Sequence, residues 1–282
     1  MDNKNPEISV LLPIYNTKTE HLNACIQSLL NQTFIDFELI ILDDASNIDF
    51  KEVIDKFNDK RIKYFKNDTN LGITKTRNKL LDLAHGKYIA IADHDDISKP
   101  YRLEKEYKFL ENNKDFSIVS GWLEVFRENS KKKKIWKRKK YPKLLDFLEQ
   151  CELLHPACMW RKEDFEKYNL KYEDGYFGVQ DYALFSKAIK YLKFANIQEV
   201  LLEYRKHENN ASNHKNKMCL EAEKVKSEIL DFLTDDKKAQ EYLYEKFAIP
   251  KVSFIKNIFS IVNIANLKII RILGIKIKLK RF

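Results

Sequence analysis

Glycine and proline are scarce in this 282-residue chain, six of each, which excludes a low-complexity or Pro/Gly-rich disordered polymer. Cysteine is scarcer. The four (Cys25, Cys151, Cys158, Cys219) are scattered without a Cys-x-x-Cys pair, so a zinc site and a disulfide framework are not expected, and a reducing compartment is. No run of about 18 apolar residues occurs, so no membrane-spanning helix is expected. The N-terminus enters an apolar, strand-like run that ends at Pro13, without the longer apolar region and small-residue cleavage site of a signal peptide. There is no internal repeat. Acidic residues are absent from 250–282, which holds eight Lys/Arg. The net charge of +9 therefore belongs to this tail, since the first 249 residues carry 43 basic and 42 acidic side chains.

What is present suits an α/β enzyme. Apolar residues make up 44% of the chain and aromatics 12%, enough for a proper core. Short apolar runs alternate with stretches of helical periodicity. Ile8–Pro13 reads as a buried strand, and Thr17 to Glu20 has capping-box spacing ahead of a helix carrying Leu22, Cys25, Ile26, Leu29 and Leu30. Phe37–Leu42 is a second strand ending in Asp43 and Asp44. Phe50, Val53, Ile54 and Phe57 mark a helix, and Ile62–Phe65 a third strand. A turn at Asn70–Leu71–Gly72 leads into a helix with Arg77, Leu80, Leu81 and Ala84. The alternation predicts a parallel, doubly wound sheet.

The stretch Gly86–Pro100 organises the rest. Tyr88–Ala92 reads as a central strand, and Asp93, Asp95 and Asp96 cluster at its end. In an open α/β sheet that end is where ligands bind. Carboxylates so close repel one another unless a cation joins them, and hard divalent cations prefer oxygen ligands. The cluster reads either as a metal site holding a nucleotide diphosphate or as an acidic turn before the helix after Pro100.

Beyond Pro100, Leu103, Tyr107 and Leu110 suggest a helix and Phe116–Phe126 a strand. Lys131–Lys140 has eight basic residues in ten. It is read as a solvated basic loop or as a contact for phosphate or anionic lipid. His155 lies in an apolar segment that suits a satisfied core histidine. Gln180 and Asp181 precede a helical pattern at Leu184, Phe185, Ala188, Ile189 and Leu192, where Asp181 also suits an N-cap. Val200–Tyr204 reads as a strand, and about 217–247 as a charged helix.

Taken in order, these segments resemble a bacterial family 2 glycosyltransferase of the GT-A fold. The resemblance covers Ile8 to about Ser212. It is carried by Ile8–Asn16, Leu29–Phe34, Phe37–Ser46 with its Asp-Asp-x-Ser, Asn70–Gly72 with Arg77–Asn78, Asp93–His94–Asp95–Asp96, His155–Pro156, Gln180–Asp181 and Tyr204–Arg205–x–His207. It implies a Rossmann-like, mostly parallel sheet flanked by helices. The domain would fill 1–212, with a donor half at about 1–115 and an acceptor half at about 116–212. A helical extension over 213–249 and a basic amphipathic tail over 250–282 would follow.

The resemblance also implies roles. Asp95 would be the principal ligand of Mn²⁺ or Mg²⁺, with His207 a further ligand and Asp93 near the ribose or the metal. His94 would lie on the same nucleotide-sugar side. Asp44, with Asp43 nearby, would accept the imide N–H of uracil, and Pro13 and Tyr15 would shape the base pocket. Arg77 would contact phosphate, hold Asp95, or pair with one of the aspartates. Asp181 would be the base of a single inverting displacement, with Asp174 or Glu173 as fallback. Gln180 stands where the family pattern has Glu, and it cannot take a proton. His155 and Gln180 would face the acceptor.

The reaction implied is metal-dependent transfer of a hexosyl or N-acetylhexosaminyl group from a UDP-sugar to a glycan or lipid-linked acceptor. Lipopolysaccharide, capsule and other surface-glycan synthesis use such chemistry. In the tail, Ile255, Ile258, Phe259, Val262, Ala265 and Ile269 recur at helical spacing among basic residues. The last segment alternates Ile275–Lys276–Ile277–Lys278–Leu279–Lys280. The tail reads as a peripheral anchor on the anionic cytoplasmic leaflet, or as a basic terminal helix and strand packed on the domain. A non-catalytic sugar-nucleotide-binding module and a nucleic-acid-binding protein are the other classes. The second suits the basic segments but not the near-neutral body or the sheet-end aspartates, so no nucleic acid partner is expected.

Overall fold

The computed structural model describes residues 5–128, 130–208, 210, 215–234 and the strands within 259–280. Strands and helices alternate through the first third: β1 (Ile8–Ile14), α1 (Thr19–Leu30), β2 (Phe37–Asp43), α2 (Lys51–Asp55), β3 (Ile62–Lys66), α3 (Ile73–Leu83) and β4 (Tyr88–Ile91). Then follow β5 (Ile97–Ser98), α4 (Arg102–Asn112), β6 (Ile118–Arg127), β7 (Ser130–Trp136), β8 (Met159–Arg161), α5 (Lys162–Lys167), α6 (Gln180–Ala188), β9 (Phe194–Arg205) and α7 (Lys215–Leu233).

One sheet runs β3-β2-β1-β4-β8-β6-β9-β5, with β7 on β6. Parallel pairing joins β3 to β2, β2 to β1, β1 to β4 and β6 to β9. The sheet is nevertheless mixed, because β8 pairs antiparallel with both β4 and β6, and β5 and β7 are antiparallel edges. The strand order reverses at β1. A crevice therefore opens beyond the C-terminal ends of β1 and β4.

β1 and β2 are buried at every position, as strands covered on both faces must be. Their side chains divide by parity. Leu11, Ile40, Leu42, Ile89 and Ile91 join the core on one face, with α6 and α7. Val10, Leu12, Leu39, Ile41 and Tyr88 join the other, with α1 and α4.

Behind the crevice a buried carboxylate ties strand starts together. Glu38 Oε1 accepts from Ser9 Oγ (2.5 Å) and His85 N (2.8 Å), and its Oε2 accepts from Lys63 Nζ (2.6 Å). Ser9 Oγ accepts in turn from Gly86 N (2.8 Å). These contacts hold the Glu38 carboxyl below its ordinary pKa against the opposing effect of burial. The close approach explains the glycine: a Cβ on Gly86 would lie 2.4 Å from Ser9 N and 2.7 Å from Ile8 C.

Several local expectations are corrected. Thr17 does not cap α1, whose N-cap is Lys18 without a side-chain cap bond. The basic run is not a loop from its start, since 131–136 belong to exposed strand β7. β9 begins at Phe194, earlier than Val200. The helical extension is present as α7, and the remainder of that expected helix lies outside the described residues. In the tail, strands β10 (Phe259–Ile264), β11 (Leu267–Ile272) and β12 (Ile275–Lys280) form an antiparallel sheet; helical spacing was expected as far as Ile269, while β12 coincides with the alternating last segment. Isoleucine is frequent there and 275–280 strictly alternates Ile/Leu with Lys; both favour strand. Among the described residues no helix is long and apolar enough to cross a membrane.

Gly86→Ala should destabilise the fold by about 1–3 kcal/mol, because the clash is with backbone that cannot swing aside. Urea unfolding of the two proteins measures it; an unchanged midpoint would show that β1 and β4 can separate at this point.

Candidate active site

A cleft of about 330 Å³ occupies the crevice, lined by Pro13 and Tyr15 from β1 and its end, Ile73 and Arg77 from α3, Asp93–Asp95 after β4, and Tyr204 and His207 from the end of β9. Its entrance loops are tightly turned. Asn16 and Ala45, just past β1 and β2, both have left-handed backbone (φ 45° and 60°). Asn16 N donates to Ser46 Oγ and Asn47 N to Asn16 Oδ1, both at 2.9 Å. Backbone strain of this kind persists only where the surroundings hold it, and it gathers at functional sites.

The carboxylate cluster sits at the cleft floor. Asp95 Oδ2 lies 2.7 Å from His207 Nε2 and accepts from Asn210 Nδ2 at 3.2 Å. Its backbone oxygen accepts from Arg205 Nε at 2.9 Å. Asp96 turns away, its Oδ1 accepting from Arg205 N at 2.9 Å, while its buried Oδ2 has no protein partner. Burial and the neighbouring Asp95 and Asp93 charges raise the Asp96 carboxyl well above the usual carboxylate range. Asp93 is also raised, mainly by burial, and the Arg77 charge opposes the shift. Arg77 Nη2 reaches Asp93 Oδ1 at 3.4 Å, so the aspartate it pairs with is Asp93 and not Asp95. Arg77 also stacks over Tyr172, and its Nε is a buried donor without a partner. Thr17 Oγ1 meets His94 Nδ1 at 2.7 Å, which gives this threonine a cleft role instead of a capping one.

Asp95 and His207 suit a divalent ion. A carboxylate oxygen and an imidazole nitrogen are donors that Mn²⁺ accepts, and the two atoms lie 2.7 Å apart. Among the described residues no group of three or more His, Cys, Asp or Glu is arranged to hold an ion alone. Such a pair suits ions that take one or two protein ligands and fill the remainder with phosphate and water.

The other expected residues do not line the cleft. Asp43 is buried, its Oδ1 accepting from Ser46 N (2.8 Å) and its Oδ2 from Tyr64 Oη (3.1 Å). Asp44 accepts from Asn67 Nδ2 (2.8 Å) and Leu71 N (2.9 Å) on Oδ1, and from Gly72 N (2.9 Å) on Oδ2. It therefore organises the 67–72 loop, with one acceptor position left on Oδ2. Asp181 stands in the first turn of α6, where burial raises its carboxyl and the Arg77 charge partly opposes the shift. Gln180 opens the same helix. Neither lines the cleft floor. Glu173 pairs with Lys187 near the surface, and Asp174 is exposed. His155 is packed in the core: its Nε2 lies 2.8 Å from Tyr172 Oη, its ring rests against Tyr172 and Phe185, and burial lowers its pKa well below the ordinary histidine value.

Three contributors were missed in the sequence. His21, on the otherwise apolar face of α1, lines the cleft with its ring 5.4 Å from His207. Glu128, in the turn after β6, holds His21 Nε2 at 2.8 Å and accepts from Arg205 Nη1 at 2.7 Å. Asn210 joins Asp95 to the chain after β9. Each lies far in sequence from the cluster it supports, except Asn210, which follows His207 by three residues and was a legible neighbour.

Comparison with known proteins follows this geometry. Residues 9–191 match the profile described as Glycosyl transferase family 2. An uncharacterized glycosyltransferase of Methanocaldococcus jannaschii is 38% identical over 208 residues, 71% of this chain and 71% of its own length. The UDP-Glc:alpha-D-GlcNAc-diphosphoundecaprenol beta-1,3-glucosyltransferase WfaP of Escherichia coli is 35% identical over 115 residues, 41% of this chain and 45% of its own length. Among solved structures, S. aureus TarS in complex with UDP-GlcNAc superposes with a TM-score of 0.69 at 17% identity, covering 88% of this chain and 73% of that one. At that identity the likeness is one of fold.

Asp44→Ala should leave the Asn67 amide and two backbone N–H groups without their acceptor, at a cost of roughly 2 kcal/mol or more. Thermal or urea unfolding without any nucleotide reads this loss directly. A variant as stable as the parent would mean that the 67–72 loop is held by other contacts.

Proposed function

The chain belongs to glycosyl transferase family 2, so it transfers a sugar from a nucleotide-sugar donor, and we propose that it does so with inversion, with a divalent ion and from a UDP-sugar. The observation that carries this reading is the convergence of Arg77, Asp93, Asp95 and His207 in one cleft at the carboxyl ends of β1, β4 and β9. Asp95 and His207 would hold Mn²⁺ or Mg²⁺, which neutralises developing charge on the departing diphosphate. Arg77, whose side chain lines the cleft, would donate to the same phosphates. The remaining acceptor position of Asp44 would read an imide N–H, which uracil offers and cytosine lacks. Pro13 and Tyr15 would flank that base.

Asp181 would take the proton from the acceptor hydroxyl as its oxygen attacks the anomeric carbon and the nucleoside diphosphate leaves. A carboxyl whose pKa is raised by burial is a better match to neutral pH than an ordinary one. Only the ionised form accepts the proton. The rate should therefore rise with pH through this raised pKa and fall on acidification, at a pH above the ordinary carboxylate range. The acceptor is read as a lipid- or diphosphate-linked glycan of a bacterial surface polysaccharide; the name of the E. coli relative gives alpha-D-GlcNAc-diphosphoundecaprenol as that protein's own acceptor. The basic tail would keep the enzyme on an anionic cytoplasmic membrane surface.

Two measurements test the donor and the base. UDP with Mn²⁺ should protect the protein against thermal unfolding and CDP should not; equal protection would misplace the base pocket. Asp181→Asn keeps size and hydrogen bonding, so donor affinity should change little while kcat falls by about 10²–10⁴. A variant that turns over normally would pass the base role to Asp174 or Glu173. One that has also lost donor binding would make Asp181 structural.

A further inference from the structure

The donor cleft leaves one conspicuous feature unused, the basic strand β7, exposed from Ser130 through Ile135. Ser130 stands opposite Arg127 and Lys134 opposite Val125, so two extra residues of β7 bulge between them; the even number keeps Lys132, within the bulge, in phase with Lys134 and Trp136, and Lys131 and Lys133 in the other phase. Pairing carries the first face across the sheet. Lys134 stands opposite Val125, and Val125 opposite Tyr204; Trp136 stands opposite Leu123, and Leu123 opposite Leu202. The Trp136 ring lies 5.4 Å from the Tyr204 ring, and Tyr204 lines the cleft. The turn between β6 and β7 reaches the same cleft through Glu128, which holds His21 and Arg205.

Ion pairs reach only one of these faces, and there Lys131 has none among the described residues. Away from the cleft, Lys133 pairs with Glu124 at 2.6 Å and Lys99 pairs with Glu203, the residue opposite Glu124. On the cleft's face Lys132 and Lys134 form no ion pair among the described residues. Two ammonium groups two residues apart on a strand are separated by about 6.6 Å of backbone. That spacing suits a ligand with several negative oxygens, which lysine binds as a point charge.

We infer that Lys132 and Lys134 form an acceptor-side anion subsite that holds the phosphate or diphosphate linking the acceptor glycan to its carrier. The inference rests on the glycosyltransferase reading and names the part of the acceptor recognised beside the cleft. Binding there places the acceptor next to Tyr204, on the cleft side of β6, and leaves the donor contacts of Asp95 and Arg77 untouched.

The test reads binding, without nucleotide or turnover, so its failure is separable from failure of the donor reading. A dansyl-labelled decyl diphosphate is titrated with full-length protein in chelator, and fluorescence anisotropy is followed, with the labelled alcohol as uncharged control. Lys132→Ala/Lys134→Ala should weaken diphosphate binding at least tenfold. The charge-matched Lys131→Ala/Lys133→Ala should stay within about threefold of the parent, and the alcohol should bind none of the three. Equal weakening by both double variants would reveal bulk attraction and overturn the subsite. So would undiminished binding by Lys132→Ala/Lys134→Ala. Vesicles of phosphatidylglycerol separate the lipid headgroup as source: a Lys132→Ala/Lys134→Ala protein that loses vesicle binding yet keeps the diphosphate would assign the lysines to the membrane surface, against the inference.

Discussion

Like charges crowded at the end of β4 set the terms for the surrounding structure. Asp93, Asp95 and Asp96 crowd the end of β4, and burial together with mutual repulsion favours the protonated forms of Asp93 and Asp96. The fold answers with cations and donors from distant elements. Arg77 comes from α3 to Asp93, Arg205 from β9 to the Asp95 carbonyl and, through its backbone, to Asp96, and His207 and Asn210 to the Asp95 carboxylate. The opposition is incomplete, since the Asp96 carboxyl keeps one buried oxygen without a protein partner. A site left short of positive charge is suited to a cation or to a ligand that brings one.

The supports of that cluster also shape its surroundings. Arg205 is held by Glu128, Glu128 holds His21, and Glu128 sits in the turn leading to the basic strand β7. The acidic floor and the basic hairpin are therefore joined by one chain of hydrogen bonds and ion pairs. Opposite charges flank the cleft: carboxylates at its floor, and on β7 two lysines without an ion pair among the described residues. At the far end of the strands the Glu38–Ser9–Gly86 contacts keep β1, β2 and β4 in register, so the crevice ends are held by a network remote from the chemistry.

Much of the donor half was legible because its signals are local. Continuous apolar runs such as Ile8–Pro13 and Phe37–Leu42 announce strands buried on both faces, and β1 and β2 match them within a residue or so. Paired aspartates at strand ends stand out because such clusters are costly without a ligand. The second half was read less well. Antiparallel β8 is only three residues long and β7 is all but uniformly basic, so neither shows a clear period of two. The tail misled for a related reason: an isoleucine-rich segment can satisfy helical spacing and strand alternation together, and neighbouring strands decide between them.

Residue order alone determined the α/β class, the organising strand at Tyr88–Ile91 and the carboxylates after it, since periodicity and charge density are properties of short segments. Partnership was decided only by tertiary structure. Arg77 pairs with Asp93 where Asp95 was an equal candidate, Thr17 serves His94 instead of a helix end, and His155 sits against Tyr172 and Phe185 in the core. Asp44 binds the loop at 71–72, and His21 and Glu128 meet across 107 residues. Hydrogen bonds and ion pairs act over a few ångströms of space and are indifferent to sequence separation. Which of several plausible donors reaches a given carboxylate therefore depends on how β1, β4, β6 and β9 are brought side by side in one sheet.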